Sequence, residues 1–394
     1  MTTYLDHAAT TPMLPAARAA MVEQLAITGN ASSLHGPGRD ARRTVEESRE
    51  QIAAALGARP SEIVFTSGGT EADNLAITGS FRSARAADAR RTRIVASAVE
   101  HHAVLDPIDH AVEHEGAQAT FVVPGECGTV QPSAVREAIE TDPTDVAAVS
   151  VMWANNEVGT VQDVAAMAEI AHEHGLAFHT DAVQAAGHLP VDFAASGVDL
   201  MSVSAHKLGG PIGIGALVAR RDARLIALSH GGGQERGIRS GTLDVASIRA
   251  FAVALTESVE RREEEAARIG GLRDRFLTGT QQLDLGIRVT GCWEAGDVTT
   301  RLPGNAHITI PGCEGDSMLY LLDAAGVAVS TGSACQAGIP QPSHVVLAMG
   351  RSEGEARGSL RVSFGATSTE ADVERVLAAL PEAVDRARRA SGAA

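Results

Sequence analysis

From about residue 40 to residue 220 the chain alternates between two hydrophobic rhythms. Stretches such as 40–56 and 164–174 repeat apolar side chains at helical spacing. Between such stretches lie short, β-branched, apolar runs at 62–66, 93–98, 119–123, 146–152, 176–180, 200–204 and 215–219. Most of these runs are bounded by turn residues and lack strict polar alternation, so they predict strands buried on both faces. Strands alternating with helices predict an α/β unit with a mostly parallel, seven-stranded sheet covered on both sides.

The rhythm changes beyond residue 245. Ile248, Phe251, Ala252, Leu255 and Val259 predict a long helix, continued by the charged stretch 257–268 as a solvated face. Strands at 306–310, 327–330 and 359–364, mixed with helices, predict a smaller α+β module. A last helix starts near Thr369, where Asp372 completes a capping-box-like pair, and carries Val373, Val376, Leu377, Leu380 and Val384 as its apolar stripe. Pro381 is expected to kink it. The organisation expected is a large domain over 14–255 and a small domain assembled from 1–13 and 256–394.

Composition narrows the function classes. The 394 residues carry a formal net charge of −16, which offers no basic footprint for nucleic acid and could steer a basic protein partner. No apolar run approaches membrane-spanning length, and Met1–Pro12 has neither a basic nor an apolar signal region, so a cytoplasmic enzyme is expected. None of the four cysteines is in CxxC spacing, so neither a zinc site nor a disulfide framework is signalled, and one or more is expected to be a reactive thiol. Cys127, Cys292 and Cys313 read as small packed residues.

The chemistry gathers at predicted strand ends. Lys207, in Ser204-Ala205-His206-Lys207-Leu208-Gly209-Gly210, follows a strand and precedes a glycine-rich turn, which places it at the edge where open α/β sheets bind ligands. A lysine there can lose its proton and form a Schiff base, though a single lysine is more often a solvated one. Asp181 ends another strand, where a carboxylate could keep a pyridine nitrogen protonated; alone it reads equally as a turn or cap residue. Ser67-Gly68-Gly69-Thr70-Glu71 joins a strand to a helix N-terminus, a ready anion site or simply a tight turn. His101 and the Asn155-Asn156-Glu157 segment lie just past further strands, and His101 could stack on a flat ring or shuttle a proton. His101, His102, His110 and His114 lack any HExxH pattern, which counts against metal. Cys335, in Ser330-Thr331-Gly332-Ser333-Ala334-Cys335, sits among small residues that favour an open loop over a core position.

In this order the motifs resemble those of cysteine desulfurases of the NifS/IscS type, within the class V aminotransferase group of fold-type I pyridoxal-phosphate (PLP) enzymes. The resemblance runs from Tyr4-Leu5-Asp6-His7-Ala8-Ala9-Thr10-Thr11-Pro12 to about Thr369. It includes Gly29-Asn30-Ala31-Ser32-Ser33-Leu34-His35, Glu100-His101, Asn155-Asn156-Glu157-Val158-Gly159 and Arg239-Ser240-Gly241-Thr242. It implies that Lys207 holds PLP, that Asp181 pairs with the pyridine nitrogen and that His101 stacks on the ring. Asn156 and Gln184 would contact the ring hydroxyl side, and Gly69, Thr70, Ser204 and His206 would hold the phosphate. Thr242 would reach the cofactor phosphate of the other subunit of a homodimer. Asn30 and Arg361 would bind the carboxylate of L-cysteine, and Cys335 would take its sulfur as a persulfide and release L-alanine.

The resemblance further implies delivery of that sulfur to an acceptor, which could be an iron–sulfur scaffold protein, a tRNA-thiolation carrier or a dedicated pathway such as DNA-backbone or natural-product sulfuration, with no resident metal and Cys335 as at most a transient iron–sulfur ligand. Thr331, Gln336, Ala337 and Ala205 depart from the family's commonest residues without removing a reacting group. Selenocysteine lyase, another PLP β-lyase, a plain aminotransferase and a carrier scaffold without turnover are the alternatives. The joint presence of the cofactor set and the thiol favours the desulfurase.

Overall fold

The computed structural model describes residues 2–332 and 341–392. Strand β1 (Thr3–Tyr4) is followed by β2 (Ile63–Thr66), β3 (Arg93–Ser97), β4 (Gln118–Val122), β5 (Val146–Ser150), β6 (Phe178–Asp181), β7 (Leu200–Ser204) and β8 (Gly215–Ala219). The last seven form one sheet in the order β2-β8-β7-β6-β5-β3-β4. Strands β3 to β7 pair in parallel, and β8 runs antiparallel to both β7 and β2. The physical reason for that one reversal is length. The connection 205–214 is too short to carry a crossover back to the starting edge, so the chain can only return antiparallel. Strand β2 therefore points the same way as β7, and the carboxyl ends of β2, β3, β5, β6 and β7 share one edge.

Strands β5 to β8 are buried at every residue, as their unbroken apolar character requires. Val149, Phe178, Met201 and Val203 anchor a cluster that reaches Phe251 and Leu255 on the helix Val245–Glu260. A second cluster lies in the smaller sheet. There β9 (Arg288–Val289), β10 (Asn305–Thr309) and β12 (Ser359–Ser363) run antiparallel in the order β12-β10-β9, while β11 (Val327–Ala328) pairs with β1. Leu5, from the start of the chain, packs in this second cluster with Ile308, Leu360 and Val376.

Two expectations need correction. The long helix expected to continue through 257–268 is two helices, Val245–Glu260 and Arg262–Gln281. Arg261 breaks the run with ψ at 0°, and Glu263, Glu264 and Glu265 place acid in the first turn of the second helix, where the helix dipole favours it. The C-terminal helix begins as expected, with the Thr369 N–H and hydroxyl both bonded to Asp372, and carries Pro381 within its run to Ser391. Cys127 and Cys292, read from the sequence as isolated packed residues, are joined by a disulfide with their Cα atoms 4.8 Å apart. A sequence separation of 165 hid the pair. Cys127 lies in the loop after β4 and Cys292 in the loop after β9, so the link ties the two sheets together; in a reducing compartment the same placement holds two thiols side by side. Cys313 is buried and unpaired, as expected.

One buried ion pair fixes the edge that matters. Glu235 accepts both Nη1 and Nη2 of Arg49, at 2.9 and 2.7 Å, and the Phe65 N–H of β2 at 2.7 Å. It thereby ties the segment carrying Arg239 and Thr242 to the start of the Gly68–Thr70 turn. Replacing Glu235 with alanine leaves the buried Arg49 guanidinium without its buried carboxylate, with only the half-exposed Glu46, 3.2 Å from Nε, as a partner of opposite charge. The expected loss is about 3–5 kcal/mol of unfolding free energy, read from urea midpoints at unchanged slope.

Candidate active site

Each strand end delivers one chemical group to the shared edge. After β2, Gly68 takes φ +149°, a region closed to most side chains, and Gly69 opens the helix Gly69–Ala87. A Cβ on Gly69 would meet Val183 Cγ2 at 2.7 Å, so the backbone of this turn lies directly against the segment after β6. Thr70 is exposed at the first turn of that helix. Its free N–H groups and dipole make the turn an anion cradle, and Ser204, whose Oγ lies 3.9 Å from the Cβ position of Gly68, flanks it.

Lys207 follows β7 in a single 3₁₀ turn with His206. Its Nζ donates to the carbonyls of Ala8 at 2.6 Å and Ala9 at 2.8 Å. Gln184 donates from Nε2 to the same Ala8 carbonyl at 3.0 Å. The Thr11 N–H donates to the His206 carbonyl at 3.1 Å, and His206 Nδ1 lies 3.3 Å from the Thr10 hydroxyl. The N-terminal strap is thus built into the site, a contribution with no side-chain signal in the sequence. His188, behind the lysine, donates from Nε2 to the Lys207 carbonyl at 3.0 Å.

His101 caps the helix His102–Glu115, its Nδ1 accepting the Ala103 N–H at 3.0 Å. The neutral ring therefore carries its proton on Nε2. Burial, then the nearby Lys207 ammonium, lowers its pKa to about 4, so it is neutral at physiological pH. Burial and the same ammonium lower His206 to about 4. Asp181, at the end of β6, accepts the Val183 N–H at 2.8 Å. Burial raises it to about 6, opposed by the Val183 N–H and by Lys207. His101, Asp181 and His206 all feel Lys207, which sets these four groups around one position.

Arg361, on β12, is buried at 4 % exposure. Its Nη2 bonds Asp6 at 2.9 Å and its Nη1 the Asn156 carbonyl at 2.9 Å, while Nε has no partner among the described residues. Asn156 is thereby held beside the arginine, and Asn155 shapes the turn by accepting the Glu157 and Val158 N–H groups. Asn30 and Thr242 are exposed, and Asn30 Oδ1 accepts the Ser32 N–H. Arg239, beside Thr242, pairs with Glu71 at 2.8 Å.

Cys335 lies outside the described residues, but both flanks of its segment are tied to the site. Ser330 exchanges backbone hydrogen bonds with Arg361, at 3.1 and 2.7 Å. Ser343 donates to buried Glu157, and His344 Nε2 donates to the Glu100 carbonyl at 3.0 Å. His110 and His114 stand apart on the exposed face of their helix, and no metal-binding cluster of three or more His, Cys, Asp or Glu occurs among the described residues.

Aminotransferase class-V is the family whose model matches the chain, over residues 3–376. The chain belongs to the class-V aminotransferase family. This class-V chain is 56 % identical, over 99 % of its length and 98 % of the relative's, to an IscS-like cysteine desulfurase of Mycobacterium tuberculosis. Its fold superimposes on a NifS-like protein from Rickettsia africae with a TM-score of 0.86 at 30 % identity, covering 98 % of this chain and 100 % of that one. A solved structure of SspA in complex with cysteine matches with a TM-score of 0.78 at 33 % identity over 92 % of this chain and 99 % of that one. In a class-V member the residues around Lys207 fit a flat, phosphorylated pyridine. The turn at Gly68–Thr70 is an open anion cradle, and Asp181 is a buried carboxylate within electrostatic reach of Lys207, a group suited to a cationic ring nitrogen.

Proposed function

We propose that this protein is a PLP-dependent cysteine desulfurase. It converts L-cysteine to L-alanine and passes the sulfur through Cys335 to an acceptor protein. The observation that carries the reading is the seating of Lys207 among His101, Asp181 and His206 at the sheet edge, in a chain 56 % identical along its length to an IscS-like cysteine desulfurase.

When bound, PLP supplies an electron sink for the bond changes at the substrate. Gly69, Thr70, Ser204 and His206 would hold its phosphate, and Thr242 that of a second subunit. Asp181 would face the ring nitrogen, Asn156 and Gln184 the hydroxyl side, and His101 the ring plane. Lys207 would be the cofactor's covalent anchor, and the Lys207 Nζ would take the substrate Cα proton. Arg361, already oriented by Asp6 and the Asn156 carbonyl, binds the substrate carboxylate together with Asn30. The Cys335 thiolate attacks the substrate sulfur. The sulfur–sulfur bond forms as the carbon–sulfur bond breaks, so that L-cysteine and a thiol give L-alanine and a persulfide.

The enzyme is read as a cytoplasmic homodimer. Leu25, Ile27, Leu34 and Ile212 are exposed apolar side chains of the kind a second copy of this chain would cover, and Thr242 is exposed as a residue shared with that copy must be. The acceptor is read as an iron–sulfur scaffold or a thiolation carrier, and the net charge of −16 suits a basic docking surface on it. Exposure of the loaded enzyme to L-cysteine should add one sulfur atom to the peptide containing Cys335, with alanine formed in step. Cys335→Ser should keep the cofactor absorbance and lose both products. Full-rate alanine formation by that variant would sink the persulfide route.

A further inference from the structure

Beneath the edge that carries Lys207, three carboxyl groups are buried together. Asp73, on the helix Gly69–Ala87, is 1 % exposed; Glu100, just past β3, is 0 %; Asp181 is 5 %. Asp73 Oδ1 and Glu100 Oε2 have no hydrogen-bond partner among the described residues. Asp73 Oδ1 is 3.6 Å from His179 Nε2, beyond hydrogen-bond reach. Both nitrogens of that ring are occupied by hydroxyls, Ser202 at 3.0 Å and Ser150 at 2.9 Å. Burial lowers His179 to about 3, so the ring is neutral and brings no positive charge.

The groups facing Asp73 are His179 and Asp181 from β6, Ser202 from β7, and Glu100. Those facing Glu100 are the Met152 N–H at 2.7 Å, Ser97 and Asp181. The favourable cation, Lys207, acts on Asp181. An ionised carboxylate without a cation in a dry site costs far more than a neutral acid, and neighbouring negative charges compound that cost.

We propose that Asp73 and Glu100 are kept as neutral carboxylic acids, and that they confine the single negative charge of this cluster to Asp181, the member within reach of Lys207. Both are positioning residues that act through Asp181. Desolvation and the neighbouring carboxylates push both acids well above the ordinary carboxylate range, against the opposing hydrogen bonds of Ser202 to Asp73 and of the Met152 N–H and Ser97 to Glu100, which agrees with this placement. The consequence for the cofactor rests on the reading of Asp181 as the group beside the ring nitrogen. The protonation itself does not.

The sign of the linkage gives the test. The folded protein keeps two protons that the unfolded chain releases above an ordinary carboxyl pKa of about 4. The folded state then binds more protons, so stability falls as pH rises from there toward neutral. Asp73→Asn and Glu100→Gln are neutral at every pH and lack that loss. Thermal midpoints of the cofactor-free protein, followed from about pH 4.5 to 8, should show each variant gaining on the unmodified protein as pH rises. A gap that is flat or that closes overturns the proposal.

Infrared spectra of the unmodified cofactor-free protein at neutral pH should show the carbonyl band of buried carboxylic acids. Its absence would overturn the proposal even if a variant failed to fold. In the loaded protein, Asp73→Asn should retain the pH midpoint of the cofactor absorbance. A shift of roughly one unit or more would mean that Asp73 had carried charge, and would overturn the assignment. The first two measurements involve no cofactor, so their failure leaves the desulfurase reading standing, and a missing sulfur adduct leaves them standing in turn.

Discussion

Lys207→Ala should lose turnover by about four orders of magnitude or more and keep its fold. The side chain is half-buried, and the hydrogen bonds it gives up run to two backbone carbonyls, of Ala8 and Ala9. That loss is about 1.5–3 kcal/mol per charged bond at most, in a chain held by two large apolar clusters. Catalysis loses both the covalent anchor and the base that takes the Cα proton. Alanine formation measured beside circular dichroism and a thermal melt separates the two effects. Small primary amines added to the variant should restore part of the rate by replacing the missing base. Near-normal turnover without them would remove Lys207 from the mechanism.

Asp181→Asn should cost about 10³-fold in kcat, with KM for cysteine changed little. The amide keeps the shape and can accept the Val183 N–H, but cannot carry the charge that keeps a ring nitrogen protonated. The pH dependence has a definite sign. In the cofactor-free protein Asp181 titrates near pH 6, raised by burial. Cofactor binding by the unmodified protein should therefore weaken as pH falls below about 6, and binding by the variant should be nearly flat over that range. Equilibrium binding followed by absorbance checks both. A variant with full kcat would show that the charge at this position is dispensable.

Most of the large sheet was legible because its signal is local. A buried parallel strand must be apolar on both faces, and all seven runs read from the chain correspond to strands β2–β8 with their ends moved by no more than about two residues. The placement of Lys207, Asp181, His101 and the Gly68–Thr70 turn at the sheet edge was legible for a related reason, since each lies at the end of a strand or within a few residues past it. What stayed hidden depends on partners distant in sequence. Nothing near Cys127 points to Cys292, and Arg261 breaks a helix whose apolar spacing continues. Ala8 and Ala9 act through backbone carbonyls, which any residue possesses. Asp73 had a faint signal. It shares a helix face with Ala76, Ile77 and Ser80, all buried, so a charged side chain stands in an apolar stripe. Read alone, an Asp in a helix is a solvated residue.

The strap from Asp6 to Thr11 also bears on the order in which the molecule is made. Asp6 bonds Arg361 across 355 positions, and Ala8 meets Lys207 across 199. On a ribosome Asp6 and Ala8 emerge well before Lys207 and Arg361 exist. At roughly 5–20 residues per second the wait for Arg361 is on the order of a minute or less. The large sheet can collapse while Leu5 and the strap remain exposed, so a nascent chain stalled before Arg361 should be folded in part yet lack the arginine that Asp6 orients. The active site is completed only once Arg361 has been made, and a half-made desulfurase has no means of releasing sulfur early.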